Sequence, residues 1–401
     1  MVGSAGGVAG FLHPEGIYDD PKGGMFRHEV YPRLRCHFQF QNELNLFAEV
    51  DHHAKFSINV YRNDTARPLQ FAHLANLYLP QTVDNCFQHL GHGAVPGIKD
   101  EANRWNVAGH HDRIVRCDLD DLTLFARLSD AEGTPPLAAR LPAVHSRQIV
   151  QVLRKFADQP RRLGDLHGEY YATVMWDETN AVKVSHTIRR QTCFPEQPGQ
   201  WILSGPHFYV GTPFYKTPRA TCTLNSHYDV LDLSTLPDDY LPRTNYVPDC
   251  DPAEYRRRTP VVPWDNRAVT SYFRLVSRFM LSQSGERTLI STVMPKQVGH
   301  INTCLSLMFN DNKKLLTQSG YFSSLPLDFF VKTTGRGAIP GLLKTIPALQ
   351  ENRHILCRSA ILTCLTNCYT ELWQECWHGE FHFDDTWAKT DSRLANSFFH
   401  D

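Results

Sequence analysis

FLHPEGIYDDPKGGMFRHEVYPRLRCHFQFQNELNLFAEVDHHAKFSINVYR, residues 11–62, decides how this chain is read. Residues 8–12 form a short apolar run ending in His13-Pro14-Glu15-Gly16, as a buried strand does where it opens into a loop at its carboxyl end. Pro21 and the Gly23-Gly24 pair then break the chain. Met25, Phe26, Val30 and Leu34 recur near helical spacing, which predicts a helix over 25–34. Residues 36–40 alternate as a strand and residues 56–61 alternate again, with Leu44, Leu46 and Phe47 on a turn or short helix between them. Strand, helix, strand, strand is the order of an α/β layer.

The motifs inside that layer are more specific. LHPEG, then PKGG and a basic residue, then Tyr31-Pro32-Arg33-Leu34-Arg35, HFQFQNELNLF and FSINVY together resemble the part of adenine-specific (N-6) DNA methyltransferases downstream of their catalytic motif. Most similar are the large single-chain enzymes of bacterial restriction-modification and phage-defence systems, of the type IIG kind. The resemblance runs over nearly the whole chain and includes WILSGPHFYVGTPFYKTPR (201–219) and TLISTVMPKQVGHINTC (288–304).

That resemblance implies an α/β fold in two parts. The first is the C-terminal remnant of a Rossmann-like methyltransferase sheet with its connector, over residues 1–140; the second is an α+β target-recognition region over 141–378, followed by a tail, 379–401. The family holds S-adenosylmethionine on a glycine-containing loop after its first strand and carries Asn/Asp-Pro-Pro-Tyr/Phe after its fourth. Both would lie upstream of these motifs, so no catalytic and no cofactor-binding residue is assigned. S-adenosylmethionine is expected in the complete enzyme and not on this chain alone.

Two stretches could be mistaken for the absent motifs. Gly3, Gly6, Gly7 and Gly10 cluster without a preceding strand, which suits a loose start better than a ligand loop. Thr212-Pro213-Phe214-Tyr215 has an aromatic after a proline but lacks the amide or carboxylate acceptor and the second proline. An isolated half-sheet also has a consequence: its bordering strand exposes an unpaired edge and an uncovered apolar face. The expectation is a separate or upstream-encoded catalytic half.

Composition bounds the remaining classes. The 401 residues allow two or three domains, and 42% hydrophobic with 21% charged content is that of a globular chain. No apolar run is long enough to span a bilayer and no signal core opens the sequence, so no membrane is expected and a cytoplasmic location follows by default. Eleven cysteines carry no Cys-x-x-Cys spacing, and Cys357, Cys364 and Cys368 fall at helical intervals, which reads as core thiols. His52-His53 and His110-His111 are adjacent and would point to opposite faces of a strand, so no metal site is assigned.

Duplex DNA is the partner that the resemblance implies, although 41 basic and 42 acidic residues leave no global field to attract it. Attraction must then be local. Arg154, Lys155, Arg161 and Arg162 form one cluster, and Arg243, Arg256, Arg257, Arg258, Arg267, Arg274 and Arg278 a second. Arg256, Arg257 and Arg258 are phosphate-contact candidates, or else a helix face paired with Glu254 and Asp251. In the 201–219 loop, Phe208, Tyr209, Phe214 and Tyr215 interleave with Lys216 and Arg219; such a loop either stacks on bases while holding phosphate or packs its rings into a core. Gln297, His300 and Asn302 could read base edges, or could satisfy their own loop.

Punctuation divides the rest. Gly133-Thr134-Pro135-Pro136 separates predicted helices over 119–128 and 146–157, with a boundary near residue 140. The proline-rich stretch 236–264 is expected to be an ordered irregular crossing, and helices are predicted over 271–281 and 360–377.

Overall fold

Alternation along the opening strands sorts polar side chains to one face of a sheet and apolar ones to the other. The structure, a computed structural model, describes residues 6–63, 67–283 and 285–382. It forms two compact units, Met1–Pro160 with Thr333–Gly335, and Arg161–Lys332 with Arg336–Asp401.

In the first unit, β1 (Val8–Pro14) leads through α1 (Gly16–Asp19) and α2 (Gly24–Val30) to β2 (Leu34–Gln41). The helix predicted over 25–34 stops early because Pro32 tightens residues 31–33 into a 3₁₀ turn. Then follow β3 (Lys55–Arg62), β4 (Gln70–Leu77), α3 (Gln81–Gln88), β5 (Val115–Asp118), α4 (Leu119–Ser129) and α5 (Arg147–Ala157). Asp118 caps α4 by accepting from the Asp121 amide. The division between units falls at Pro160, past the linker, because α5 buries Val150, Leu153 and Phe156 and packs beside α4.

The five strands lie in the order β1-β3-β2-β4-β5. β1, β2 and β4 run in one direction, with β3 and β5 reversed. Register places Leu12, Ile58, Phe38 and Leu74 in one cross-strand row and Phe11, Asn59, His37 and His73 in the next. Neighbouring rows point to opposite faces. On the apolar face Phe40 stacks on Phe56 at 5.4 Å, and Leu74, Leu77, Cys86 and Ile114 complete the core.

In the second unit, β6 (Tyr170–Thr173), α6 (Glu178–Lys183), β7 (Ile188–Cys193), β8 (Ile202–Leu203), β9 (Lys216–Pro218) and β10 (Tyr228–Val230) precede β11 (Thr244–Pro248) and α7 (Pro252–Arg258). The proline-rich stretch is therefore ordered around a strand and a helix, the latter opened by Pro252 and capped by Asp251. β12 (Arg274–Arg278), β13 (Ser291–Met294), β14 (Gly299–His300) and β15 (Cys304–Phe309) follow, then α8 (Asn312–Phe322), α9 (Leu325–Thr333), α10 (Arg353–Thr363) and α11 (Thr370–Cys376).

The main sheet of this unit is antiparallel in the order β13-β12-β15-β6, beside three two-stranded pairs, β10-β9, β11-β7 and β14-β8. The whole chain is thus mixed α/β, built on several small sheets. Two predicted helices are corrected. Residues 271–281 contain strand β12, whose Arg274, Leu275, Val276 and Ser277 are all buried; a strand covered on both faces loses the period of two that would announce it. Residues 360–377 form two helices, because the backbone leaves helical geometry at Cys364 (ψ 66°) and a new turn starts at Asn367. A single apolar stripe along 360–377 is lost with it: Leu362 and Trp377 are exposed, while Tyr369 and Leu372 are buried. Of the tail expected over 379–401, residues 383–401 lie outside the described residues.

Candidate nucleic-acid interface

Three of the segments singled out from sequence meet on one core cluster of the second unit. β8 and β14 pair in parallel, Ile202 opposite Gly299 and Leu203 opposite His300, so the aromatic loop and the Gln297 loop start side by side. α7 joins them through Tyr255, whose hydroxyl accepts a 3.1 Å hydrogen bond from the Trp176 indole. A Cβ at residue 299 would stand 2.7 Å from that hydroxyl, so glycine is what allows the close approach. Ile202, Tyr246, Tyr255 and Ile301 share the cluster.

Around this cluster the candidates separate into interior and surface groups. Phe208 and Phe214 are fully buried, Phe214 stacked on Trp201 at 5.9 Å, so both rings pack the core and present no face to a base. His300 is also sealed: its ring contacts the Ile301 carbonyl at 3.0 Å and Ser306 Oγ at 2.7 Å. Burial, aided by the Arg274 cation, pulls its pKa down to about 3 and keeps the ring neutral. Their apolar and ring character suits a core as well as a binding loop, and sequence does not distinguish the two.

Tyr209 and Tyr215 are half-buried with ring centroids 5.0 Å apart, and Lys216 Nζ lies 4.9 Å from the Tyr215 ring centre. Arg278, a member of the second basic cluster, stands 5.9 Å from the Tyr209 ring and donates to the Phe208 carbonyl at 2.7 Å. Arg219 is exposed and paired with Asp229 at 2.9 Å. On α7, Arg257 donates twice to Glu254 at 2.6 Å, and Arg258 reaches Glu254 and the Thr187 hydroxyl; Arg256 is exposed with no ion-pair partner among the described residues. Those two arginines hold the Glu254 carboxyl at about 2. Gln297 is exposed in a left-handed conformation, φ 70°. Asn302 is exposed too, and its side chain accepts from the Glu178 amide and donates to Asp177, each at 3.3 Å.

The first unit has its own concentration of polar chemistry, on the sheet face opposite the apolar core. Glu15, directly after β1, is buried and receives His37 Nε2 at 3.2 Å and Gln39 Nε2 at 3.0 Å. His37 Nδ1 meets His73 Nδ1 at 2.9 Å. Burial alone would raise the Glu15 pKa, but the imidazole and the hydrogen bonds of Ser57 and Gln39 hold it at about 2. Tyr18 donates to Asn59 at 2.8 Å, and His13, Asn59 and Tyr61 close a second network beside it. His13 and Tyr61 border a groove of about 420 Å³ whose other walls include Phe11, Ile17, Phe26 and Val30.

Among the described residues β1 is one of the two edges of this sheet. Val8 and Leu12 on one face and Phe11 on the other are each more than half exposed, and Met25 and Phe26 of α2 are 89% and 56% exposed.

The Gly23-Gly24 pair that opens α2 is the nearest thing to a ligand loop, yet the space beside Gly23 is taken by the Arg27 guanidinium at 2.8 Å, which also donates to the Asp20 carbonyl at 2.7 Å. Gly10 lies inside β1. None of the eleven cysteines is in a disulfide. Among the described residues no helix is long and apolar enough to cross a membrane.

No protein-family model matches the chain, and no curated protein does. Among solved structures, it is similar to that of the type IIG restriction endonuclease BpuSI, at 10% identity and a TM-score of 0.29, over 94% of this chain and 46% of that one. The chain spans less than half of that neighbour's length, and a likeness this loose carries no argument for function.

Proposed function

We propose that the chain is the target-recognition part of a site-specific adenine (N-6) DNA methyltransferase of the restriction-modification or phage-defence type, active when a catalytic part is seated against β1. The observation that carries this is the environment of β1. A strand with apolar side chains on both faces has the composition of an interior strand of an α/β sheet, covered on each side by helices. Here it is an edge strand with those side chains exposed. A surface of that kind fits a further α/β layer that adds a strand to the edge and a helix to each face.

In this reading the catalytic part brings S-adenosylmethionine and the Asn-Pro-Pro-Tyr/Phe motif, and the second unit grips DNA. Arg256 and Arg219, which are exposed, and the half-buried Lys216 serve as phosphate contacts, and Tyr209, Tyr215, Gln297 and Asn302 remain as groups able to stack on or hydrogen-bond to bases. Holding the flanking duplex is what permits the target adenine to leave the stack.

The test is methyl transfer from labelled S-adenosylmethionine to duplex DNA, by the chain alone and mixed with a polypeptide carrying the glycine loop and the tetrapeptide. No transfer alone and transfer on mixing is the expected result. Methylation by the chain alone would refute it. DNA binding with no methylation in any mixture would instead mark a non-catalytic DNA-binding module.

A further inference from the structure

We infer that Glu43, His52 and His53 form a binding site for a single first-row transition-metal dication, with zinc the best match. One ligand atom from each of the three lies within 4.8 Å of the others. His53 Nδ1 stands 3.3 Å from Glu43 Oε1. Two ligand atoms about 2.1 Å from a tetrahedral ion are themselves about 3.4 Å apart, so this pair already has the bite of a chelate. The histidines are adjacent in sequence, but they sit on a turn and not on a strand, so their rings come within 3.8 Å, centroid to centroid, instead of pointing apart.

The frame around the three donors is rigid. Asn42 is fully buried and staples the loop: its amide donates to the Phe47 and Val50 carbonyls at 2.9 Å, and its oxygen accepts from the Phe47 amide at 2.9 Å. At the far end the Asp51 carboxylate accepts from the His53 amide at 2.7 Å, and Asn42 N closes the loop on the Ala54 carbonyl at 3.0 Å. The Glu43 side chain is only 8% exposed and takes a 3.2 Å hydrogen bond from Gln41, an outer partner that orients the carboxylate. Among the described residues nothing comparable holds the histidine rings away from it.

The donor set chooses the ion. Two imidazoles and one carboxylate suit zinc and its neighbours, whereas magnesium and calcium favour oxygen donors throughout. Three protein ligands leave a fourth position for water or an outside donor. A bound ion would cross-link the two ends of the 42–54 loop, between β2 and β3.

The experiment uses the full chain without a histidine tag, stripped with a chelator and titrated calorimetrically with zinc chloride, with cobalt(II) absorption as a second readout. One equivalent is expected, with a tetrahedral cobalt spectrum. His52→Ala, His53→Ala and Glu43→Gln should each weaken binding roughly tenfold or more. The exposed histidine on α2 serves as control, and His28→Ala should leave the titration unchanged. All four altered positions lie at or near the surface, and thermal unfolding of each variant checks that it is folded. Loss of a stoichiometric event in the parent, or its survival in the His52→Ala/His53→Ala double variant, would overturn the assignment and leave a surface Glu–His ion pair only.

Discussion

β1 and β15 have nearly the same sequence character and opposite surroundings. Val8, Phe11 and Leu12 make a short apolar run, as do Cys304, Leu305, Leu307, Met308 and Phe309. β15 sits between β12 and β6, and all six of its residues are buried. Among the described residues β1 has one neighbour, β3, and five of its seven residues are exposed. An apolar run says that a strand should be covered; what covers it is written elsewhere, in the strands that pair with it and the helices that lie over it. In β15 those pieces are in the second unit. For β1 the described residues supply one strand and one helical layer.

Acid should have the largest effect, through buried titratable groups in both units. His300, which contacts Ser306 of β15, and His207 have pKa values lowered to about 3 and about 4 by burial. In the first unit His73 and His145 are lowered to about 3. An unfolded histidine binds its proton below about 6.5 and these buried rings do not, so stability is retained above that pH and falls as the pH drops toward 3. Glu15, held at about 2 against an ordinary 4.5, adds a second loss in the first unit that begins below 4.5; Glu254 of the second unit is lowered as far, but it lies at the surface, where solvent screens its contribution. Hydrogen exchange resolved by peptide should therefore show both units weakening from about pH 6.5 and the first steepening below 4.5. A flat profile from 7 to 4 in either unit would contradict the buried neutral histidines.

Next comes direct damage to β15. Leu307 is fully buried and pairs with both Leu275 and Ala172. Leu307→Ala should cost about 2–5 kcal/mol in a denaturant melt of the second unit, the range for a leucine-sized cavity. A loss under about 1 kcal/mol would mean that the sheet relaxes into the space, and the contrast with β1 would weaken accordingly.

How much of this was legible follows the same division. The opening layer was readable because residues 36–40 and 56–61 each keep one polar and one apolar face, and the structure places strands over both. The 119–128 and 146–157 helices were readable from the Gly133–Pro136 break between them and from the apolar positions of the second, and the structure places helices over both. β12 was not, because Arg274 and Ser277 are buried polar residues that break the pattern; Arg274 reaches Met175 and Ser306 in the interior. The candidate interface was half legible. The turns that gather Tyr209, Tyr215 and Lys216 are marked by Gly211 and Pro213, but whether a ring faces in or out depends on packing: Phe214 packs against Trp201 at the start of the loop and against Tyr369, far away in sequence. The Glu43–His52–His53 grouping was hidden because it needs the Asn42 staple, a tertiary feature that no spacing rule contains.

A smaller effect belongs to α7. Arg256 has no carboxylate to neutralise it among the described residues, whereas Arg257 is committed to Glu254. If the second unit holds DNA as proposed, Arg256→Ala should lower the slope of log affinity against log salt by about 1, the signature of one lost phosphate contact. Arg257→Ala should change it less. Equal slopes in the two variants and the parent would remove α7 from the interface.

The smallest effect on the isolated chain is expected at β1, and it is the most telling. Leu12 and Phe11 are more than half exposed, so Leu12→Asp and Phe11→Asp should each shift the unfolding free energy by no more than about 0.5 kcal/mol, as surface changes do. The same changes place a charge on the edge and on both faces that the proposed catalytic part must cover, where burying each parent side chain would contribute up to about 1.5–3 kcal/mol. A soluble, folded variant that no longer supports methyl transfer on mixing, beside a parent that does, separates the edge from the fold. If both variants complement as well as the parent, β1 is an ordinary exposed edge, and the catalytic part, if there is one, sits elsewhere.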